Sequence, residues 1–332
     1  MSIVSPAELG PAEFLAARAR WRPVEIVFWL AAIAPYFIAS DYLQLAGQIL
    51  ITGLFALSLD LILGYAGIVS LGHAAFFGLG AYATGIASKY GWGEPLSGLL
   101  IGGLVAGVVG FGASFIVARF RGLALIMITL GLDQIMAEAA NSMGWLTGGA
   151  DGLQGVKTWP ILGLFRFDLY GVTAYWYALA VTFVFFLLVR RMVNSPFGLS
   201  LQGIRENSTR MLAIGARNHA HVRTVFTIAA FIAGVAGALL TETTETVSLE
   251  TLSFQRSADV LVMLILGGVG QLYGGLVGAL IYMVARDQFS DINPQYWYFW
   301  IGLLLVVVVV FLPNGIVGGV KKLGGVFRRR GS

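Results

Sequence analysis

The 332-residue chain is 58% hydrophobic and only 11% charged. Soluble domains carry about 25% charged residues, so this composition excludes a water-soluble enzyme or a nucleic-acid-binding domain and points to an integral membrane protein. Cysteine is absent, which removes disulfide scaffolds, thiolate metal sites and Cys nucleophiles, and the formal charge of +4 matters less than where the basic residues lie.

Residues 1–22 lack the apolar core of a cleavable signal. Ser5, Pro6, Ala7 and Glu8 form a capped helix start, and AEFLAARARWR then reads either as a short interfacial helix or as a basic tail. A helix needs about 20 apolar residues to cross the hydrocarbon. Segments 25–42, 45–63, 72–88, 96–118, 122–143, 172–189, 223–241, 257–268, 274–286 and 297–313 meet or approach that length. Three of them, 72–88, 257–268 and 274–286, are short or Gly-interrupted, so eight spans with re-entrant segments is the alternative to ten.

Charge placement favours ten. Basic clusters lie at Arg18, Arg20 and Arg22, at Arg119 and Arg121, from Arg190 to Arg223, and at Lys321, Lys322 and Arg328 to Arg330. With ten spans all of them fall on one side, the cytoplasmic one, together with both termini. The expected fold is therefore all-α: a polytopic transmembrane helix bundle over residues 23–318, with Gly-broken helices, an N-terminal tail 1–22 and a basic C-terminal tail 319–332. It would be a multi-pass protein in contact with membrane lipid, with no nucleic-acid partner.

The stretch GYAGIVSLGHAAFFGLGAYATG (64–85) holds six glycines and one histidine inside apolar sequence. Backbone at membrane depth must be packed in protein or line a wet cavity. Two readings stand side by side. Gly72, Gly78, Gly80 and Gly85 let neighbouring backbones touch, or the helix is discontinuous and its exposed amides and carbonyls face a solute path. His73 is read first as a structural imidazole bonded to a neighbour, with Asp60 as its expected partner, and second as a proton relay.

Gly98, Gly102, Ala106, Gly110 and Ser114 form a small-residue seam for helix packing, as do Ala230, Gly234 and Gly237. The span LALIMITLGLDQIMAEAANSM carries Asp133, Gln134, Glu138, Asn141 and Ser142 on nearly one face, which is expected to meet a cavity or another subunit. A Gly-rich outer loop follows it.

Residues 190–222 form the largest inward-facing loop. Within it, LSLQGIRENSTRMLAIGA reads as one or two short helices, with Leu199, Ile204, Met211, Leu212 and Ile214 as a sparse apolar face and Gly215 and Asn218 as stop signals. Such an element suits docking to a cytosolic partner or binding to lipid headgroups. Further on, LGGVGQLYGGLVGALIY (266–282) repeats the L-G-x-x-G opening of the first break.

No G-x-x-x-x-G-K-[ST], H-E-x-x-H, G-x-S-x-G or T-V-G-Y-G occurs, so the chain carries no nucleotide P-loop and no recognisable catalytic group pair. It is expected not to be an enzyme, to bind no cofactor or metal itself, and to borrow any ATP-driven step from another polypeptide.

Five ordered blocks then carry a resemblance. LSLDLILGYAGIVSLGHAAFFGLGAY (57–82), RGLALIMITLGLDQIMAEAANSMGWLTGGADGLQGV (121–156), the stretch 195–239, LGGVGQLYGGLVGAL (266–280) and WIGLLLVVVVVFLPNGIVG (300–318) resemble the LivM-type permeases of branched-chain amino acid ABC importers. The acidic pattern LGLDQIMAEAAN departs from the family's more usual form. The resemblance implies a permease subunit in a bacterial inner membrane. It also implies a second related permease subunit, two cytosolic ABC ATPases that bind the ATP, and a periplasmic solute-binding protein. A branched-chain amino acid is the first expectation for the solute, with urea, short amides or aromatic acids as the wider range. It further implies a translocation path lined by Gly64, Gly67, Ser70, Gly72, His73, Asp133, Glu138, Asn141, Gly267, Gly268 and Gly270. ATPase coupling would fall to Leu199, Ile204, Arg205, Glu206, Asn207, Arg210, Leu212 and Gly215. The rival reading is an ion-coupled secondary transporter using Asp60, His73, Asp133 and Glu138.

Overall fold

The computed structural model describes Trp21, Lys322 and residues 23–38, 40–161, 163–168 and 171–320. The expected N-terminal interfacial helix and most of the basic C-terminal tail lie outside the described residues. Helices dominate: α1 (Pro23–Ala31), α2 (Ala34–Ile38), α3 (Leu43–Asp60), α4 (Ala74–Lys89), α5 (Pro95–Val117), α6 (Leu123–Ser142), α7 (Gly144–Thr147), α8 (Val172–Val193), α9 (Pro196–Ala213), α10 (Asn218–Thr244), α11 (Phe254–Gly267), α12 (Gly274–Ile292) and α13 (Trp297–Phe311). Among the described residues, pairing between extended segments is limited to the isolated bridges Leu153–Val247 and Ile161–Phe165.

Six helical segments are long and apolar enough to cross a membrane: Leu43–Tyr65, Pro95–Val117, Leu123–Ser142, Val172–Val193, Asn218–Thr244 and Trp297–Val320. The other expected spans are shorter or carry charge near one end, and for two of them the reason is physical. α4 has 16 residues and α11 has 14. At 1.5 Å per residue they reach only about 24 and 21 Å, against about 30 Å of hydrocarbon. Each is cut short by a glycine break, at Gly72 before α4 and at Gly268 after α11.

The bundle has two well-defined ends. At one end the Ala118 carbonyl accepts from His219 Nδ1 (2.8 Å), Arg121 Nη1 donates to Ser208 Oγ, and Gln271 Nε2 donates to the Asn314 carbonyl (3.1 Å). At the other end Ser88 Oγ donates to the Lys157 carbonyl (2.8 Å), Leu153 pairs with Val247, and Thr158 Oγ1 donates to the Glu242 carbonyl (3.1 Å). The basic stretches 119–121 and 190–223 share the first end.

The core is where α4, α5 and α10 cross, and the small-residue seams explain the closeness. A Cβ on Gly80 would collide with the Gly234 backbone, and one on Gly234 would lie 2.6 Å from the Gly102 carbonyl oxygen. Ala230, Ala233, Ala236 and Ala238 are wholly buried beside them. In lipid there is little hydrophobic drive between helices, so backbone contact of this kind supplies the dispersion attraction that holds them.

Asp168 starts α8 from outside the bundle. Its carboxylate accepts from the amides of Thr173 (2.9 Å) and Val172 (3.2 Å), two of the unpaired donors of a helix start. Partial burial pushes its pKa up, but those amide hydrogen bonds outweigh it and hold the group below the ordinary carboxylate value. A depressed folded-state pKa means that the stabilisation is present above the unfolded value of 3.8 and is lost as pH falls through the folded value. Asp168→Asn is therefore expected to weaken α8's first turn at neutral pH and to flatten the acid limb of the unfolding midpoint. An unchanged acid limb in thermal scans below pH 4 would contradict this.

Candidate functional site

Two glycine breaks and the helix α9 meet at the basic end of the bundle. α3 does not stop at Asp60 but widens into a π-turn over Leu61–Tyr65, and the chain then runs extended to His73. Gly67 turns it at φ +71, a conformation that favours glycine. Along this stretch Gly67 and Val69 are exposed while Ala66, Ile68 and Ser70 are buried, the alternation of an extended segment with one packed face. The second break, between α11 and α12, turns at Gly268 (φ +121) and Gly270 (φ +76).

Asp60 ties the two breaks together. It is completely buried, and its Oδ1 accepts from the Gly270 amide at 2.7 Å. A Cβ on Gly64 would meet that carboxylate and lie 2.5 Å from the Gly270 nitrogen. Arg205 of α9 completes the junction: its Nη1 donates to the Gly64 carbonyl, and its side chain covers Gly67. Beside it lies a groove of about 250 Å³ lined by Gly67, Val69, Arg121, Leu125, Ile204 and Arg205.

His73 has a different partner from the one the sequence suggested. Its Nε2 is 2.8 Å from Ser58 Oγ, and its ring stacks on Phe55 with centroids 5.5 Å apart. Asp60, the expected partner, is engaged with Gly270 instead, from the last position of α3 just before the π-turn. The first amides of α4 are met by other helices: Ala74 donates to Ser257 Oγ at 2.9 Å, and Ala75 donates to the Asp133 carboxylate. A carboxylate facing a helix N-terminus is favoured by the helix dipole.

That contact splits the polar stripe of α6. Asp133 is 2% exposed and points at α4, whereas Gln134, Glu138, Asn141 and Ser142 are exposed on the other side. The single face expected for all five does not exist, since adjacent positions on a helix differ by about 100°. The acidic pair assigned to one wall is thus divided: Asp133 faces α4, and Glu138 reaches the open face with Gln134, Asn141 and Ser142. Among the described residues no hydrogen bond joins any two of Asp60, His73, Asp133 and Glu138.

Several buried polar atoms around the breaks have no protein partner: Asp60 Oδ2, Ser70 Oγ, His73 Nδ1 and Asp133 Oδ1. Buried polar groups are normally satisfied by protein or ordered water, so this cluster marks a region able to take water or a polar solute. Gly72 packs on the Thr129 carbonyl, and Gly267 packs on Gly274, where a side chain would collide with backbone.

α9 itself is kinked at Asn207 (φ −154, ψ 95), so the loop is two short helices in one. Ile204 is buried against the bundle and Leu199 half-buried, while Glu206, Asn207, Arg210, Leu212 and Gly215 are exposed. Asn218, expected as a stop, instead opens α10. Leu212 and Ile214 are 53% and 72% exposed, an apolar pair left facing outward on α9.

Glu242 follows directly on the expected span 223–241, yet it still lies in the last turn of α10 and is 3% exposed. Its Oε2 accepts from Tyr177 of α8 at 2.8 Å. The available signal was its register, four residues beyond Ala238 and eight beyond Gly234 on the packed face. Tyr177→Phe leaves that oxygen unsatisfied and is expected to cost about 1–3 kcal/mol. The check is the thermal midpoint of the detergent-solubilised protein, with Tyr82→Phe, whose hydroxyl has no protein partner, as comparison.

This geometry can be set beside known proteins. A family described as branched-chain amino acid transport system / permease component matches residues 42–309. The chain belongs to that family. Its range takes in both breaks, α9 and the α4–α5–α10 core. The chain is 27% identical over 309 residues to the high-affinity branched-chain amino acid transport system permease protein LivM of Escherichia coli (strain K12), covering 87% of this chain and 72% of that one. It is 26% identical over 316 residues to the probable branched-chain amino acid transport permease protein LivM of Methanocaldococcus jannaschii, covering 79% and 89%. No solved structure matches. A permease of this family, with helices apolar enough to span a membrane, is a multi-pass membrane protein.

Proposed function

We propose that the chain is one of two membrane subunits of an ATP-binding-cassette importer. A related second permease subunit, two cytosolic ATPases and a periplasmic solute-binding protein complete the assembly. The solute is a branched-chain amino acid, the cargo in the names of its relatives. The ATPases hold the nucleotide, and this chain contributes no catalytic group of its own.

The observation that carries this reading is the Arg205 junction, where a helix outside the apolar spans is bonded to a break inside them. A force applied to α9 would reach Gly64 directly and Gly270 through Asp60. The outward-facing Leu212 and Ile214 offer an apolar seat for an ATPase.

The exposed face supports the location of the path. Gly67 and Val69 expose non-helical backbone, and Glu138 exposes a carboxylate on an apolar helix. Neither is tolerated against lipid. A second permease subunit and the wet route between the two subunits would cover them. Ten alternating crossings agree with this arrangement, the short α4 and α11 serving as broken spans. The basic end then faces the cytoplasm, along with both termini, in a bacterial inner membrane.

The test is reconstitution in vesicles. Uptake is expected only when ATP, the ATPases, the second permease and the binding protein are all present. Uptake by this chain alone, driven by a proton or sodium gradient, would overturn the proposal in favour of ion-coupled transport.

A further inference from the structure

A second polar cavity lies at the opposite end of the bundle, apart from both breaks. It holds about 200 Å³ between α3, α10, α11 and α12. Liquid water occupies about 30 Å³ per molecule, so the space accepts a small organic solute. Leu240 and Met283 form an apolar wall, Gln48 and Thr52 bring an amide and a hydroxyl from α3, and Arg256 and Arg286 bring two guanidinium groups. Glu250 stands exposed at the rim.

The two arginines lack a direct counter-ion. Among the described residues the ion pair found is Arg190–Glu25, and no carboxylate lies within salt-bridge distance of Arg256 or Arg286. The nearby Asp259 spends its Oδ1 on Tyr282 (2.8 Å) and Gln255 (3.1 Å). Arg256 Nε is buried without a hydrogen-bond partner, and its guanidinium rests over the Phe77 ring at 5.4 Å. Arg286 rests over Trp297 at 5.1 Å. Guanidinium groups are built for planar, two-point contact with a carboxylate, and buried ones left unpaired are costly.

We propose that this cavity is a binding site for a small aliphatic carboxylate, its carboxylate held by Arg256 and Arg286 and its hydrocarbon part against Leu240 and Met283. Glu250 at the rim suits a solute that also bears an ammonium group. The site lies inside one subunit, so it is separate from the route proposed between subunits. It rests on the permease reading only for where the solute comes from. Binding to the isolated chain needs no ATPase and no binding protein, so its failure is distinguishable from failure of ATP-driven uptake.

The experiment uses the purified full-length chain in phosphatidylcholine nanodiscs, with binding read as a shift in thermal midpoint. Isovalerate, isoamylamine and inorganic phosphate are the probes. Isovalerate is expected to raise the midpoint, while the amine, which has the same carbon chain and no carboxylate, leaves it unchanged. Arg286→Gln and Arg256→Gln are each expected to weaken isovalerate by about tenfold or more, the usual scale for a charged hydrogen bond. Met283→Trp, which fills the cavity and keeps both arginines, is expected to abolish the shift and guards against misfolding of the Gln variants. An equal shift with the amine, or isovalerate binding unchanged in all three variants, would overturn the site. A shift with phosphate matching that with isovalerate would overturn it in favour of a general anion or lipid-headgroup site.

Discussion

Replacing Arg205 with methionine is expected to leave the assembled transporter hydrolysing ATP while solute uptake falls about tenfold or more, the scale set by about 1.5–3 kcal/mol for a hydrogen bond from a charged group. The argument starts from geometry. Arg205 is the side chain of α9 that donates to the Gly64 carbonyl and lies over Gly67 and Gly270, so it touches both breaks at once. Methionine keeps the straight stem that covers Gly67 and removes the donor. α9 keeps its other anchors, Ile204 in the core and Ser208 bonded to Arg121 and Asn218, so the seat proposed for an ATPase survives. ATP hydrolysis and uptake should therefore separate. Asp60→Asn probes the same link from inside: the amide oxygen can still accept from Gly270 but carries no charge for the neighbouring guanidinium. A milder loss of uptake is expected there. The two activities are measured on one proteoliposome preparation, and a parallel fall in both would show that Arg205 serves assembly and not transmission.

The second large effect concerns the core. Gly234→Leu is expected to prevent recovery of folded, monodisperse protein, because the new side chain has no space. The position faces the Gly102 carbonyl at 2.6 Å and the Ala106 methyl, and Gly80 packs on its own carbonyl. Inserting even one or two methylenes into a packed core costs about 1–3 kcal/mol, and here three helices would have to part. Gly112→Leu is the matched control on α5, since nothing lies within 4 Å of a Cβ there and the residue is exposed. Size-exclusion profiles in detergent decide the matter. Equal yields of the two variants would mean that the α4–α5–α10 crossing does not hold the bundle.

Helical class, the breaks and the packing seams were legible because each is written locally. Runs of apolar residues can satisfy their backbones in lipid only as helices, and glycine clusters within them leave few conformations other than a break or a close contact. Gly102 and Gly234 showed their packing role through four-residue spacing to Gly98, Ala106 and Ala230, Gly80 only as one of a cluster of glycines, and the loop that holds α9 stood out by its run of basic residues. Lengths were less legible, since the glycine breaks end α4 and α11 at 16 and 14 residues inside apolar runs that continue past them.

What only the tertiary structure decided is pairing across distance. Asp60 bonds a residue 210 positions away, and no local pattern distinguishes that from the nearer His73. Asp133 and Glu138 share a helix but face opposite ways, because the N-terminus of α4 claims one carboxylate and leaves the other open. Local sequence determines which backbone conformations are affordable in hydrocarbon. Which polar group satisfies which partner depends on how whole helices stack, and that is a property of the packed bundle.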